Sequence, residues 1–265
     1  MVSWKQGAVA VMVVLLVVLG GGVVYLSLPY EGSESSIQSV EDDPRVSVET
    51  GGDVTVLAPT DAESDVGVVF YPGARVAPNA YYESLSPLVT DANATVYIPE
   101  MPLNIALLDS DAAGEIRAGE EQIETWIVGG HSLGGVAACG YAAEEEVAGL
   151  LMFASYCNED VSDREMAVLS VTGSADTVLD REAYRASKDR LPPTTTSEEI
   201  PGMNHTQFGS YRGQRGDSPS PLSDEEAHDR LADVVVPWIE ERSSSNARVR
   251  AENSVSTVNT YTTHG

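Results

Sequence analysis

The feature that most constrains this chain is a short apolar strand that leads directly into a Gly-x-Ser-x-Gly turn and then into a run of small residues. The strand is predicted over residues 126–129 and the turn over residues 130–134. Side chains at Gly130 or Gly134 would collide with so sharp a strand-to-helix turn, which lifts the serine hydroxyl clear of the sheet. Ser132 is therefore the candidate nucleophile.

Short β-branched runs alternate with helical stretches along the rest of the chain. Strands are predicted over residues 54–57, 66–71, 94–98, 126–129, 149–154, 168–172 and 195–200, and helices over 80–89, 111–124, 133–143, 180–190 and 224–241. This alternation indicates an α/β fold, with a mostly parallel central sheet and helices on both faces. Because few residues separate Tyr156 from Met166, we expect no large helical cap and an open site.

An apolar stretch, residues 7–28, precedes this domain, and no charged residue lies between Lys5 and Glu31. It is long enough to cross about 30 Å of hydrocarbon as a helix. A cleaved signal peptide is the alternative, but its apolar core would span only about 7 to 15 residues and end in a small-residue cleavage site. We expect a retained transmembrane anchor, with residues 1–6 cytoplasmic and the large domain extracytoplasmic, because lysine precedes the span and acidic residues follow it.

Three further segments complete the predicted organisation. Residues 29–45 are acidic, contain serine and show little apolar periodicity, which predicts a flexible linker. The α/β domain is expected over residues 46–242. Residues 243–265 are rich in Ser, Asn, Thr and Arg without an apolar face, so a disordered polar tail is predicted.

The charge balance excludes one class of partner. The chain has 41 acidic and 15 basic residues, a formal net charge of −26. Such a surface repels phosphate backbones, whose binding depends on Lys and Arg, so no nucleic acid partner is expected. The composition resembles that of proteins adapted to high salt, where self-repulsion is screened. An acidic protein from an ordinary environment is the alternative.

The two cysteines, Cys139 and Cys157, are too few for a disulfide framework in a domain of this size. We expect each to be a buried free thiol. The sequence has neither a Cys-x-x-Cys pair nor a His-Glu-x-x-His helix, so it offers no metal-site spacing, and no cofactor is expected.

A serine nucleophile needs a base to take its proton. His131 lies inside the turn, where packing or a local hydrogen bond is its expected role. His228 is expected on the exposed side of the final helix, and His264 lies in the tail. His205 follows the last predicted strand, where a base can reach back over the carboxyl edge of the sheet, so it is the candidate base. A loop histidine bound to a backbone carbonyl is the alternative.

The base in turn needs a carboxylate that orients it. Asp176 lies in the turn after the strand predicted over residues 168–172, although most loop aspartates are helix caps or Asx turns. The chain order Ser, Asp, His favours Asp176, because this architecture uses that order. Asp160 and Glu199 are reserve candidates, since both lie near strand ends.

The tetrahedral intermediate needs backbone N–H donors aimed at its oxygen. One should be the amide of Leu133, the residue after the nucleophile. The second should come from the glycine-containing turn after the strand predicted over residues 66–71. Ala74 is the candidate, with Gly73 or Arg75 as alternatives one residue away.

Four segments together resemble the α/β-hydrolase superfamily, and within it the small cap-less branch of fold-5 and dienelactone hydrolase-like proteins. They are residues 71–76, 130–135, 173–176 and 202–209. The resemblance implies acyl-ester chemistry at Ser132, with His205 as base and Asp176 as its orienting acid. It adds no cofactor.

The sequence therefore predicts a membrane-anchored serine hydrolase that cleaves a carboxylic ester, or a related acyl bond, of a small molecule through an acyl-enzyme. The alternative is a catalytically silent protein of the same fold that binds a partner or acts as a scaffold at the membrane. The presence of Ser132, Asp176 and His205 favours the enzyme, although fold alone does not establish activity.

Overall fold

The computed structural model describes residues 21–261, with side chains through residue 244. Within these residues one eight-stranded sheet has the order β1-β2-β4-β3-β5-β6-β7-β8. The strands are β1 (Val46–Gly51), β2 (Val54–Pro59), β3 (Val66–Tyr71), β4 (Ala94–Pro99), β5 (Thr125–His131), β6 (Gly149–Phe153), β7 (Ala167–Gly173) and β8 (Thr196–Ile200). β2 pairs antiparallel with β1 and with β4, and every other pair is parallel. The prediction of a mostly parallel sheet is confirmed.

Helices cover both faces of this sheet, as predicted. Residues 21–26 are helical, and the α-helices that follow are α1 (Glu34–Glu41), α2 (Tyr82–Thr90), α3 (Ala112–Gly119), α4 (Leu133–Glu144), α5 (Arg181–Ser187) and α6 (Asp224–Tyr261). Side chains alternate along β3, so that Val68 and Phe70 join the apolar cluster under α2 and α6. Val69 and Tyr71 point the other way, into the cluster that contains α3 and α4. The core is therefore two apolar layers, one on each side of the sheet.

The predicted membrane anchor, residues 7–28, lies only partly within the described residues, because residues 1–20 fall outside them. Over residues 21–261, no helix combines the length and the apolar composition needed to cross a bilayer. This finding contradicts the prediction of a single-pass membrane protein with an extracytoplasmic domain.

The segment predicted as a flexible linker instead docks on the domain. Tyr30 forms a parallel bridge with Val76. α1 begins after Ser33, whose hydroxyl accepts the Ser36 N–H at 3.2 Å. Val40, near the end of α1, is buried in the core. The apolar pattern of this segment is weak, and its helix is stabilised by contacts with the domain.

Two further elements differ from the sequence prediction. β1 was not predicted as a strand, and it forms the edge of the sheet beside β2. α6 continues to Tyr261, so most of the segment predicted as a disordered tail is helical. The last residues of that segment, 262–265, lie outside the described residues.

Cys139 and Cys157 form a disulfide, so the expectation of free thiols is wrong. Cys139 lies on α4 and Cys157 follows β6, with Cα atoms 5.5 Å apart, a usual separation for a disulfide. Both side chains are buried in the apolar cluster that contains α4. The pairing depends on how α4 lies against β6, which the sequence spacing of the two cysteines does not reveal.

Candidate active site

Ser132 occupies the sharp turn between β5 and α4. Its backbone has φ 53° and ψ −120°, a strained conformation for a residue with a side chain. The Ser132 N–H donates to the Phe153 carbonyl at 2.9 Å. A Cβ at Gly130 would collide with the backbone of Gly134, and a Cβ at Gly134 would collide with the Tyr71 carbonyl. Close backbone approach therefore requires both glycines of the Gly-x-Ser-x-Gly turn.

The register of the parallel strands brings the candidate residues to one edge of the sheet. The last residue of β3, Tyr71, pairs with Gly130 near the end of β5, which sets the turn after β3 beside Ser132. β7 and β8 end in register at Gly173 and Ile200, which sets their following loops side by side. This is the carboxyl edge of the sheet, where open α/β sheets bind ligands.

A buried histidine–aspartate pair connects the two loops after β7 and β8. His205 Nδ1 lies 2.9 Å from Asp176 Oδ2, and the two side chains are 1% and 0% exposed. Asp176 Oδ1 accepts the N–H groups of Val178 and Leu179 at 2.8 and 2.9 Å. Burial alone would raise the pKa of Asp176, but His205 and the two backbone donors outweigh it and lower that pKa. Asp176 is thereby held as a carboxylate that orients the imidazole.

The second ring nitrogen of His205, Nε2, is buried and makes no hydrogen bond within the described residues, so none joins it to Ser132 Oγ. The His205 ring lies 4.4 Å, centroid to centroid, from the ring of His131, the residue before Ser132. In unliganded active sites the hydrogen bond between base and nucleophile is often long and shortens only when substrate binds. His205 Nε2 is therefore a polar atom without a hydrogen bond, on a ring that packs against the neighbour of Ser132.

The turn after β3 presents one unused backbone amide. The Gly73 N–H donates to Tyr81 Oη at 2.9 Å, and the Arg75 N–H donates to the Asn104 carbonyl at 2.8 Å. The Ala74 N–H between them has no acceptor among the described residues. The amides of Gly73 and Arg75, the two alternatives from the sequence, therefore both have acceptors, whereas the amide of Ala74 remains available.

Leu133, the other candidate donor, is the first residue of α4. The first N–H groups of a helix have no acceptor within the helix, and the helix dipole places partial positive charge there. The amide after Ser132 is thus suited to an anionic oxygen.

The Arg75 side chain pairs with no carboxylate among the described residues. Its guanidinium donates to the Leu28 carbonyl at 2.7 Å and lies 3.7 Å from the centroid of the Tyr25 ring. The Arg75 backbone has φ 60°. Arg75 therefore ties the N-terminal segment to the turn that carries Ala74.

His228 is buried rather than exposed, so its predicted place on the surface is wrong. Its Nδ1 lies 3.4 Å from Glu83 Oε2, and its Nε2 lies 3.2 Å from the Gly209 carbonyl. Glu83 lies on α2, which packs against α6, so tertiary packing rather than the pattern of α6 determines this burial.

The reserve acids do not contact the candidate base. Asp160 accepts hydrogen bonds from Ser162 near the surface, and Glu199 pairs with Arg181 at 2.9 Å. His264 lies outside the described residues. Among residues that are described, no group of three or more His, Cys, Asp or Glu side chains could hold a metal ion.

Sequence reasoning missed two side chains at this site. Tyr81 Oη lies 2.9 Å from His131 Nδ1. Ser155 Oγ donates to the carbonyl of Ser132 at 2.7 Å. Neither residue belongs to a recognisable motif, and only the fold brings them to the Gly-x-Ser-x-Gly turn.

Comparison with known proteins agrees with this architecture. The model of the alpha/beta hydrolase family matches residues 67–229, more than half of the chain, and the chain belongs to this family. No curated protein sequence matches it.

Several solved structures are similar in fold. The esterase domain of a Rhodothermus marinus protein is 13% identical with a TM-score of 0.57, over 74% of this chain and 98% of that one. Est1E from Butyrivibrio proteoclasticus is 13% identical with a TM-score of 0.52, over 73% of this chain and 98% of that one. A thermophilic esterase from Thermogutta terrifontis is 14% identical with a TM-score of 0.52, over 76% of this chain and 93% of that one. At such low identity these structures show a shared fold.

Proposed function

We propose that this protein is a serine hydrolase that cleaves the carboxylic ester bond of a small molecule through an acyl-enzyme on Ser132. The observation that carries the proposal is the buried His205–Asp176 pair at the same sheet edge as a serine in a strained turn. The names of the solved relatives, which describe esterases, support an ester in particular. Other acyl bonds would use the same groups.

In the proposed reaction, Ser132 Oγ attacks the ester carbonyl while His205 Nε2 takes the serine proton. The carbonyl π electrons move to oxygen and form a tetrahedral oxyanion. Its collapse breaks the bond to the alcohol, which leaves with the proton from His205, and the acyl group stays on Ser132. Water then attacks the acyl-enzyme with His205 as base, the carboxylic acid leaves, and Ser132 regains its proton.

The other groups stabilise charge in these steps. The Asp176 carboxylate holds the His205 tautomer that leaves Nε2 free to accept, and it stabilises the imidazolium that forms. The amides of Leu133 and Ala74 are the proposed donors to the oxyanion. Removal of one such donor typically costs about 100- to 1000-fold in kcat.

Labelling by a fluorophosphonate probe and hydrolysis of p-nitrophenyl acetate by the full chain in high salt would test the proposal. Ser132→Ala should abolish labelling and lower kcat by about 10⁴-fold or more, because triad members act as a unit. The matched control is Ser162→Ala, which removes a serine hydroxyl bonded to Asp160 away from the sheet edge and should leave both readouts unchanged.

Labelling that persists in Ser132→Ala would contradict the assignment of the nucleophile. A native protein that is folded but neither labelled nor active would favour a catalytically silent binding protein of the same fold. Circular dichroism of each variant separates lost chemistry from lost folding.

A further inference from the structure

A buried tyrosine joins the two halves of the proposed active site. Tyr81 is 0% exposed. Its Oη accepts the Gly73 N–H at 2.9 Å and lies 2.9 Å from His131 Nδ1. Gly73 precedes Ala74, the candidate oxyanion donor, and His131 precedes Ser132, the candidate nucleophile. One hydroxyl group therefore contacts the residue before each of these two positions.

We propose that Tyr81 is a positioning residue, whose hydroxyl fixes the Ala74 amide relative to Ser132. The connection passes through Gly73 on one side and His131 on the other. This inference rests on the proposed function, because the Ala74 amide matters only if it binds an oxyanion.

The hydrogen bonds around Tyr81 Oη determine which group donates and which accepts between Tyr81 and His131. Because the Gly73 N–H donates to Tyr81 Oη, the tyrosine O–H is left to donate, and its acceptor within the described residues is His131 Nδ1. His131 is then neutral, with its proton on Nε2. The opposite tautomer would leave the buried tyrosine proton without an acceptor.

Both members of the bridge stay uncharged. Burial lowers the pKa of His131 well below its usual value, and the nearby His205 lowers it further. Burial also raises the pKa of Tyr81 above its usual value. Neutrality matters because the His205 ring lies 4.4 Å from that of His131 and becomes positive during the proposed reaction. A charged His131 would oppose that step by repulsion.

The close approach also explains the glycine in the turn after β3. A Cβ at position 73 would lie 2.9 Å from His131 Nδ1 and 3.3 Å from Tyr81 Oη. A side chain there would displace one of the two bridging atoms. The position therefore combines an amide that Tyr81 binds with the space that His131 needs.

Steady-state kinetics of Tyr81→Phe in the full chain would test the inference, because this variant keeps the ring and removes only Oη. We expect kcat for p-nitrophenyl acetate to fall about 10- to 100-fold, since small misplacements at an active site reach the upper end of that range. KM should stay within about twofold, because an oxyanion donor acts mainly on the transition state. A change confined to KM, or kcat within about twofold of native, would overturn the inference.

The matched control is Tyr211→Phe. Tyr211 is also buried, and its ring lies 6.2 Å from that of His131, but its hydroxyl donates to Gln214 and not to the turn after β3. Tyr211→Phe should retain native kcat while losing about as much thermal stability as Tyr81→Phe. An equal fall of kcat in both variants would show a general effect of removing a buried hydroxyl and would overturn the inference.

Two readouts separate this inference from the proposed function. Native protein without Ser132-dependent turnover contradicts the proposed function and the inference together, whereas native turnover with an unaffected Tyr81→Phe contradicts the inference alone. Side-chain ¹⁵N spectra of histidine give an independent check. His131 should show an unprotonated Nδ1 in the native protein and a changed tautomer balance in Tyr81→Phe, and a protonated native Nδ1 would overturn the bridge.

Discussion

At the scale of single residues, Asp176 and His205 show how two separate loops bring together one hydrogen-bonded pair of side chains. Neither residue is unusual in the sequence, and their side chains act together because both loops follow adjacent parallel strands. Asp176 accepts two backbone N–H groups in addition to His205, so its carboxylate is held in one orientation. In the proposed reaction, that orientation, rather than the charge alone, decides which imidazole nitrogen is available to Ser132.

Replacing Asp176 by Asn should therefore lower kcat by about 10⁴-fold with little loss of folding, because an amide no longer holds the correct His205 tautomer. Ester hydrolysis and circular dichroism measured side by side would check this. Asp163→Asn, at an exposed aspartate, is the matched control. A variant of Asp176 with native kcat would exclude this residue as the orienting acid.

A second contact, between the buried His228 and the half-buried Glu83, predicts acid sensitivity of the fold. The pKa of Glu83 is lowered to about 2, mainly by the nearby His228 ring and against the opposing effect of burial. A lowered carboxyl pKa stabilises the fold above the usual glutamate pKa, and this contribution is lost as pH falls toward about 2. Because the Nδ1–Oε2 distance is a long 3.4 Å, we expect a contribution of about 1–2 kcal/mol.

Glu83→Gln should therefore lower the free energy of unfolding by about that amount at pH 6 and by much less near pH 2, where about half of the native glutamate is already protonated. Urea titrations across this pH range give the measurement. Glu240→Gln, at an exposed position of α6, is the control and should change stability little. An equal loss at both pH values would contradict the role of the Glu83 charge.

At the scale of elements, the sequence was most informative where side chains face a continuous core. β3 through β7 are largely buried and rich in apolar residues, and each was predicted close to its observed position. β1 and α1 were missed because their patterns are weak and their stability comes from contacts with distant residues. Val40 of α1, for example, is buried only because the segment folds back on the domain.

The candidate site divides in the same way. Ser132, Asp176 and His205 could be proposed from motifs at strand ends, since parallel strands place such loops at one edge. Tyr81 and the buried environment of His228 could not, because their partners are distant in sequence. The Tyr81–His131 contact, for example, spans 50 residues. Pairs of this kind depend on helix packing, which no local pattern encodes.

The disulfide connects α4, the helix that follows Ser132, to the loop after β6. It should stabilise the position of the helix and of the loop. The bonded residues are 18 apart, so the entropy of a closed loop of this size predicts about 3 kcal/mol. The double variant Cys139→Ala, Cys157→Ala should lower the free energy of unfolding by about that amount. Thermal unfolding of the native protein with and without a reductant would check this, and the reductant should not affect the double variant. Equal stability of native protein and variant would contradict the prediction.

At the scale of the whole molecule, the charge of −26 should influence which substrates approach. At low ionic strength an acidic surface repels anions over about 10 Å or more, and salt screens this repulsion. The ratio of kcat/KM for a succinate monoester to that for a neutral acetate ester should therefore rise with salt, severalfold between about 0.05 and 1 M. Two neutral esters compared in the same way form the control. A ratio that is independent of salt would contradict electrostatic exclusion.

The docking of the N-terminal segment also has a consequence for folding during synthesis. The Ser33 N–H donates to the carbonyl of Ser210, a residue of the loop that follows His205. At ordinary rates of translation, Ser33 is synthesised roughly 10 to 40 s before its partner. For that interval the Ser33 N–H lacks this acceptor, whereas α1 can already pack on β1 and α2. The bond between Ser33 and Ser210 therefore forms late in synthesis. A nascent chain stopped before Ser210 should leave the backbone around Ser33 more open to proteases than it is in the complete chain.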